Sequence, residues 1–558
     1  MNDKLFVIGI GGTGMRCLES FVHLCAMGMF DGQEIDILTI DTDTGNGNKD
    51  RTENLIALYN DIKSSASNQQ GGVATKDSFF TAKLNLYKFA TDYSGNRVSY
   101  RNLANISDDD QDNQDLADLF LDKETVQNFN LSHGYRAQTH LGSMLMYNGI
   151  VEAAHNAYMK GEDKILPQEK ALKEFVEKLL AAGAGARVFI FGSVFGGTGA
   201  SSIPVVPRAL NEAVRIISDG TNTLDPENVI FGASLLTDYF KFPAPDQAQK
   251  QTEKVVADSR NFALNSQAAL DFYRQDPTVK TYYRRLYHIG WPQIMRHDIT
   301  EGGKLLTGGG DQKNPCHVVE LMSAMAAYDF FTQPKLEVNT NADNMPCFYR
   351  TVEQTDDGRF LNFSAESFYK PEGSVNPFME KIAQMFSLSN LVLVSHGASH
   401  ALNTSDKYYG LHGLIQRLKE GVKHEVPFVK IDPVHLGKVE AYLRQFAFRF
   451  ADDNKGKFMP GWLYQIRYSV DGGRFIFRND AFIGSNSQYQ AMMMTPGSIF
   501  DGAASNKNWE GGDKQYNNFI NSIKNNVTVN SGVGATTEME QFLGFLYSGI
   551  RKAHKFSN

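Results

Sequence analysis

The chain has 558 residues, of which 42% are hydrophobic and 21% charged, and its formal net charge is −8. This composition is ordinary for a globular protein and excludes a disordered or fibrous one. The acidic balance argues against a nucleic-acid partner, because nucleic-acid binding relies on basic side chains. No apolar run reaches the roughly 20 residues of a transmembrane segment, and the apolar start is too short for a secretory signal, so we expect a cytoplasmic protein. The cysteines form no C-x-x-C pair, so no metal site is predicted.

The first elements of the chain alternate between strand and helix. Leu5–Ile10 is a β-rich apolar run that ends in glycines, and the apolar spacing over 18–25 predicts a helix behind it. Ile35–Ile40 predicts a second strand, which is closed by a polar turn. Such alternation is typical of an α/β fold with a parallel sheet. The more polar stretch of about 46–130 is interpreted as an insertion.

Strand and glycine turn recur in the middle of the chain. Val188–Phe191 predicts a buried strand, and it runs into the glycine-rich segment 192–202. From about 315 to 331 the pattern predicts a helix that is apolar on nearly every face, so we expect it to be enclosed as a central core helix. We interpret 1–333 as one domain.

Beyond residue 333 the pattern changes to strands and hairpins. The alternation over 464–470, followed by Asp471-Gly472-Gly473 and then Phe475 and Phe477, predicts a β-hairpin. We interpret 334–500 as a second α+β domain. The segment 501–558 begins as a polar loop and ends in an amphipathic helix from Met539 to Lys555. The second domain and this helix are candidate surfaces for a protein partner.

Two glycine-rich turns carry the functional prediction. A glycine turn between strand and helix brings main-chain N–H groups close to phosphate oxygens, and the helix dipole adds to the attraction. Gly9-x-Gly11-x-x-Gly14 alone fits the dinucleotide fingerprint, with Asp41 as the ribose acid, which would indicate an NAD-dependent Rossmann oxidoreductase. A dinucleotide fold has no use for the second turn, Gly196-Gly197-Thr198-Gly199, whereas two such cradles suit the phosphates of a mononucleotide. The P-loop motif G-x-x-x-x-G-K-[ST] does not occur in the chain.

Five motifs, in the family's order, resemble the FtsZ and tubulin superfamily. Val7-Ile8-Gly9-Ile10-Gly11-Gly12-Thr13-Gly14 is similar to its first nucleotide loop, Ile40-Asp41-Thr42-Asp43 to its N-T-D loop, and 195–202 to its G-G-G-T-G-[ST]-G signature. Gly134–Thr139 stands where the family has its γ-phosphate loop, and Thr237-x-x-Phe240-x-Phe242 resembles its T-x-P-F-x-F segment. The resemblance covers about residues 1–333. It implies a tubulin/FtsZ-like, Rossmann-type GTPase domain with a parallel sheet and a central core helix.

The resemblance is greatest to the prokaryotic tubulin-like group. It implies a protein that binds GTP or GDP with Mg²⁺ and associates head to tail with its own copies into nucleotide-dependent filaments. The residues that it places at the nucleotide are Gly11, Gly12, Thr13, Gly14, Arg16, Asp41, Asp43, Gly134, Arg136, Gln138, Gly196, Gly197, Thr198, Gly199, Ala200, Ser201, Asn314 and His317. Asn314 or His317 would meet the purine at the start of the core helix. Asn314 is equally suited to cap that helix, and His317 to a place in the core.

Two departures from the family pattern bear on function. Arg16 stands where FtsZ has an amide side chain, so we expect its guanidinium either to add a cation to the phosphates or to form an ion pair at the surface. The loop that completes the neighbouring subunit's site in the family corresponds to 338–346, which has asparagine where the first carboxylate is expected. Asn341 can position a water molecule, and Asp343 would have to accept its proton. Because a general base accounts for about 10²- to 10⁴-fold in rate, we expect slow GTP hydrolysis, and the alternative is a non-hydrolysing, nucleotide-bound scaffold.

Overall fold

The computed structural model describes most of the first 333 residues and parts of the remainder. The described residues are 4–64 except 44, 74–91 except 75, 111–128, 134–241 except 136, 257–291, 295–296, 316–333, 433–452 and 538–553, with shorter pieces within 244–251, 336–392 and 457–478.

A seven-stranded parallel sheet forms the centre of the fold. Its strands are β1 (Lys4–Ile10), β2 (Glu34–Asp41), β3 (Lys83–Ala90), β4 (Ala186–Ser193), β5 (Ile230–Leu236), β7 (Tyr283–Ile289) and β9 (Cys347–Phe348), while β6 (Phe240–Lys241) pairs with β8 (Met295–Arg296). The order across the sheet is β3-β2-β1-β4-β5-β7-β9. Its first six strands follow the 3-2-1-4-5-6 order of doubly wound nucleotide-binding sheets, so the core is Rossmann-like, as the alternation of strand and helix predicts.

Helices pack on both faces of this sheet. The helices with described bounds are α1 (Gly11–Ala26), α2 (Gly47–Ser64), α3 (Gln111–Phe120), α4 (Lys123–Asn128), α5 (Thr139–Met159), α6 (Pro167–Ala182), α7 (Thr198–Ser202), α8 (Val206–Ile217), α9 (Phe262–Gln275), α10 (Pro277–Tyr282), α11 (Val318–Thr332), α12 (Pro433–Ala447) and α13 (Glu538–Ala553). Successive side chains of β1 point to opposite faces. Leu5 and Val7 join the core layer of α1, α2 and α11, while Phe6, Ile8 and Ile10 join that of α5, α6 and α8. Burial on both faces explains why the parallel strands read as continuous apolar runs.

The predicted core helix is α11, and it is enclosed as expected, with nearly every residue buried. It begins at Val318 rather than near 315, because His317 is its N-cap and accepts a hydrogen bond from the Val319 N–H through Nδ1 at 3.2 Å. The buried Arg187 of β4 holds the other end. Its guanidinium donates to the carbonyl oxygens of Phe330 at 2.9 Å and of Gln333 at 2.7 Å.

Part of the predicted insertion of about 46–130 is integral to the sheet. The helix α2 covers one face, and β3 extends the sheet beside β2. The polar composition of α2 is compatible with burial because its polar side chains are paired. Glu53 lies 2.8 Å from the Lys49 ammonium and accepts a hydrogen bond from Thr39 Oγ1 at 2.6 Å. Satisfied hydrogen bonds allow such residues to enter a core.

The described strands beyond residue 350 are antiparallel. A four-stranded sheet has the order β10 (Glu353–Gln354), β11 (Phe360–Phe363), β15 (Arg474–Arg478), β14 (Ile466–Ser469), and β12 (Phe448–Asp452) pairs with β13 (Lys457–Pro460). The predicted hairpin is confirmed, since β14 and β15 pair with Ser469 opposite Arg474.

The helices α12 and α13 pack on the first part of the chain. Tyr442 of α12 lies against Tyr59 and Phe80, and its hydroxyl is 3.0 Å from His23 Nδ1. The described apolar residues of α13 are buried in the same core as α1 and α2: Met539, Phe542, Leu543, Leu546, Tyr547 and Ile550. The described apolar residues of this helix are therefore covered within the chain. Among the described helices, none combines the length and the apolar character needed to cross a bilayer.

Replacing Arg187 with Met should destabilise the fold by about 3 kcal/mol, because the last carbonyls of α11 would lose a charged donor in a buried position. Urea denaturation followed by circular dichroism measures this change. Arg215→Met is the matched control, since its side chain is 58% exposed and pairs with Glu212 at the surface, and it should change stability by less than about 0.5 kcal/mol. Equal effects of the two substitutions would contradict the assigned role of Arg187.

Candidate functional site

A cleft opens at the carboxyl ends of β1, β2 and β4. These strands pair in parallel and in register, with Gly9 between Thr39 and Phe191, so the segments that follow them leave the sheet side by side. The strand order reverses direction between β1 and β4, and ligands of doubly wound sheets bind at such a switch point. The cleft is lined from β1 and α1, from the polar turn after β2, and from the glycine turn after β4.

The two glycine turns are in direct contact. Gly11 has φ of +65°, a backbone conformation that residues other than glycine rarely adopt. A Cβ built on Gly11 would lie 3.2 Å from the Cβ of Thr198. Gly12 and Gly197 line the same cleft. The glycine turns after β1 and β4 therefore lie in one cleft.

The start of α1 supplies the groups of the cleft that can attract an anion. Gly11, Gly12 and Thr13 are the first three residues of this 16-residue helix, and all three line the cleft. The first N–H groups of a helix have no partner within it and lie at the positive end of its dipole, so they attract anions. Gly14 serves packing instead: a Cβ there would meet the Phe191 carbonyl oxygen at 2.4 Å, so only glycine lets α1 lie this close to β4.

A third turn, around Gly134, lies beside the second glycine turn. Gly134 has φ of +74°, and a Cβ built on it would lie 3.5 Å from Thr198 Oγ1 and 3.7 Å from Thr42 Oγ1. The Thr42 hydroxyl is buried and has no hydrogen-bond partner among the described residues. Ala137 also lines the cleft with φ of +65°, which is strained for a residue other than glycine. An unsatisfied hydroxyl and a strained backbone are features typical of a ligand site.

The turn after β2 brings carboxylates to the cleft. Asp41 Oδ1 accepts from the Asp43 N–H at 3.1 Å, and Asp41 Oδ2 accepts from Asn46 Nδ2 at 2.9 Å. Burial raises the pKa of Asp41 to about 7; the hydrogen bond from the Asp43 N–H opposes this rise, and the Asp43 carboxylate adds to it. The Asp41 carboxyl therefore changes its protonation state near neutral pH.

Aromatic rings form the remaining wall. Phe195, Phe240 and Phe262 all line the cleft, and Phe195 packs on the other two with ring centroids 5.5 and 4.9 Å apart. The cavity measures about 140 Å³. Pockets for drug-sized ligands measure about 300–1,000 Å³, so the described part of the cleft is smaller than such a pocket.

Half of the predicted site residues line this cleft. They are Gly11, Gly12, Thr13, Asp41, Asp43, Gly134, Gly196, Gly197, Thr198 and Gly199. Six predicted residues do not line it: Gly14, Arg16, Gln138, Ala200, Ser201 and His317. Arg136, Asn314, Asn341 and Asp343 lie outside the described residues.

Arg16 and His317 differ most from expectation. Arg16 neither lines the cleft nor lies at the surface; it is 1% exposed, and its Nε lies 2.9 Å from Glu320 Oε1. His317 is fully buried as the cap of α11 and packs edge to face against Trp291, so it is a core histidine rather than a cleft residue. Ala200 and Ser201 bind other parts of the chain through their carbonyl oxygens. Tyr273 donates a hydrogen bond to the Ala200 carbonyl, and Ser143 donates one to the Ser201 carbonyl.

Several lining residues were not predicted. Ser193 and Phe195 belong to the second glycine-rich segment and Phe240 to the T-x-x-F-x-F segment, so their motifs were already visible. Ala257 and Phe262 carry no sequence signal, because they reach the cleft only through the tertiary fold.

Among the described residues, no group of three or more His, Cys, Asp or Glu side chains is placed to hold a metal ion. No protein-family model, no curated protein and no solved structure matches this chain.

The raised pKa of Asp41 makes stability depend on pH. The unfolded carboxyl loses its proton near its usual pKa of about 3.9, and the folded one only near pH 7, so the free energy of unfolding should fall between these values. At about 1.4 kcal/mol per pH unit the fall is a few kcal/mol. Asp41→Asn should lose this component, which denaturation profiles from pH 4 to 8 would show.

The quantity to compare is the slope of the free energy of unfolding against pH. A constant difference in stability at all pH values is not informative, because the asparagine amide would face Asn46 Nδ2. Asp61→Asn, with a side chain 62% exposed, controls for the loss of a carboxylate as such. Parallel profiles for Asp41→Asn and the unchanged protein would show that Asp41 is not the titrating group.

Proposed function

We propose that this chain binds a guanine nucleotide, GTP or GDP, through main-chain N–H groups of its two glycine turns. The contact of the turns after β1 and β4 in one cleft at the switch point is the observation that supports this function most directly. The choice of guanine rests on the resemblance to the FtsZ and tubulin superfamily. Mg²⁺ prefers oxygen ligands and would arrive bound to the phosphates, and we assign it no protein ligand.

The same resemblance supports head-to-tail self-association in the cytoplasm. In such an assembly each subunit completes its neighbour's site, and a heterologous contact that does not close produces a filament. The loop 338–346 would supply the catalytic groups, with Asn341 positioning water and Asp343 accepting its proton. Hydrolysis is proposed to be slow, because the first expected carboxylate is an asparagine.

A nicotinamide dinucleotide is the second candidate ligand. The 3-2-1-4-5-6 strand order and the place of Asp41 at the end of β2 are those of a dinucleotide-binding domain. This candidate assigns no role to Gly196–Gly199, which is why it ranks below a mononucleotide. Chromatography of the nucleotide released on denaturation distinguishes the two, since guanine nucleotide supports the proposal and NAD overturns it.

Gly196→Ala should weaken GTP binding by about tenfold or more, the size of one lost hydrogen bond to a charged group. A Cβ at this position would meet Ser193 Oγ at 3.4 Å and no other described atom within 4 Å, so the fold tolerates a methyl group on this cleft-lining residue. Calorimetric titration with GTP and Mg²⁺ measures the change. Gly161→Ala is the control, since a Cβ there has no neighbour within 4 Å. Full affinity in Gly196→Ala would argue against a cradle at this turn.

Asp343→Ala should lower phosphate release from GTP by about 10²- to 10⁴-fold if Asp343 is the general base. Unchanged phosphate release would favour the non-hydrolysing scaffold.

Filaments should pellet with GTP and with a non-hydrolysable analogue, and electron microscopy should show them. Monomers under all conditions would contradict self-association.

A further inference from the structure

Arg16 is the centre of a buried polar network that joins three parts of the chain. Its Nε lies 2.9 Å from Glu320 Oε1 in the first turn of α11. Another of its nitrogens donates to the Tyr239 hydroxyl, which in turn donates to Glu320 Oε1 at 3.0 Å. Burial raises the pKa of Tyr239 well above its usual value, so this hydroxyl remains protonated. The three side chains form a closed triangle, and all of them are nearly fully buried.

This network reaches the cleft at two points without entering it. The Arg16 Nη2 lies 3.5 Å from Thr13 Oγ1, and the guanidinium lies over the Phe240 ring, 5.1 Å from its centroid. Thr13 and Phe240 both line the cleft. Arg16 therefore contacts two cleft-lining groups, the Thr13 hydroxyl and the Phe240 ring, without lining the cleft itself.

The hydrogen bond to Thr13 has a directional effect. A hydroxyl group has one proton and two lone pairs, whereas arginine only donates. When Arg16 donates to Thr13 Oγ1, the Thr13 hydroxyl must direct its own proton to another acceptor, and Thr13 lines the cleft. Phosphate oxygens are acceptors that such a donor would meet beside the N–H groups of α1.

We propose that Arg16 is a positioning residue for the phosphates: it orients the Thr13 hydroxyl as a donor to a nucleoside diphosphate or triphosphate, and Glu320 and Tyr239 hold it in place. This inference rests on the proposed nucleotide binding. It differs from a direct contact between the arginine and the phosphates, since Arg16 does not line the cleft.

The test removes the ion pair without leaving a buried charge. Neutral replacement of both partners of a buried ion pair is often tolerated, whereas removal of one partner is strongly destabilising. Arg16→Met combined with Glu320→Gln keeps an acceptor for Tyr239. The matched control is Arg285→Met combined with Asp329→Asn, because this pair is also buried, 3.2 Å apart, and involves α11 away from the cleft.

Binding of GTP with Mg²⁺ and of inorganic triphosphate is measured by titration, with melting temperature as the measure of folding. The Arg16 and Glu320 double variant should bind both ligands about tenfold more weakly. Thr13→Val should lose a similar factor, Thr13→Ser should retain affinity, and the triple variant should be no weaker than Thr13→Val. The Arg285 and Asp329 variant should bind as the unchanged protein does.

Unchanged affinity in the Arg16 and Glu320 double variant would overturn the inference, as would independent, multiplying losses in the triple variant. If the double variant does not fold, Thr13→Val serves instead, because the inference requires the Thr13 hydroxyl as a donor to the phosphates. Full affinity in a folded Thr13→Val protein would also overturn the positioning role. Failure of the unchanged protein to bind either ligand would instead refute the proposed function and the inference with it.

Discussion

The in-register pairing of β1 with β4 is the constraint on which the rest of the site depends. Parallel neighbours end at the same edge of the sheet, so the chain must turn away from both strands at one place. Because the turns then compete for the same space, only glycine fits at Gly11, Gly14 and Gly199, where a Cβ would meet backbone or side-chain atoms of the other strand's turn or of the strands themselves. The donors of α1 are brought to the cleft by this packing, and the acidic corner after β2 is brought there by the same parallel geometry.

Local features of the fold could be predicted from the sequence. A strand, a glycine turn and a helix are adjacent in the chain at residues 5–25, so hydrophobic periodicity and glycine placement identify them without knowledge of the tertiary fold. The same holds for the β14–β15 hairpin and for the helix α13. Both glycine turns follow strands of a parallel sheet, so they are expected at the same edge of that sheet. That β1 and β4 are neighbours, which brings the turns into contact, is not a local feature.

Features that depend on distant partners could not be predicted. Arg16 pairs with Glu320, 304 positions away, and no spacing rule connects them. The polar residues of α2 read as solvent-exposed because the hydrogen bond from Thr39 to Glu53 joins a strand to a helix and forms only in the folded chain. The N-cap of α11 is His317 and not Asn314. Which residue caps a helix depends on the path of the backbone before the first turn, and the sequence does not show that path. A relation to tubulin and FtsZ is proposed from the motifs alone, because the Rossmann-like core is shared by proteins of many functions.

The position of α13 has a consequence for how the chain reaches its native state. Tyr547 packs edge to face on Phe79, and Lys381 donates to its hydroxyl, so residues made early during synthesis are covered by residues made late. Until α13 has been synthesised, the apolar residues that it covers are exposed, and exposed apolar surface of this kind makes a folding intermediate prone to aggregation. A fragment that stops before Glu538 therefore lacks part of the core that α13 shares with α1 and α2.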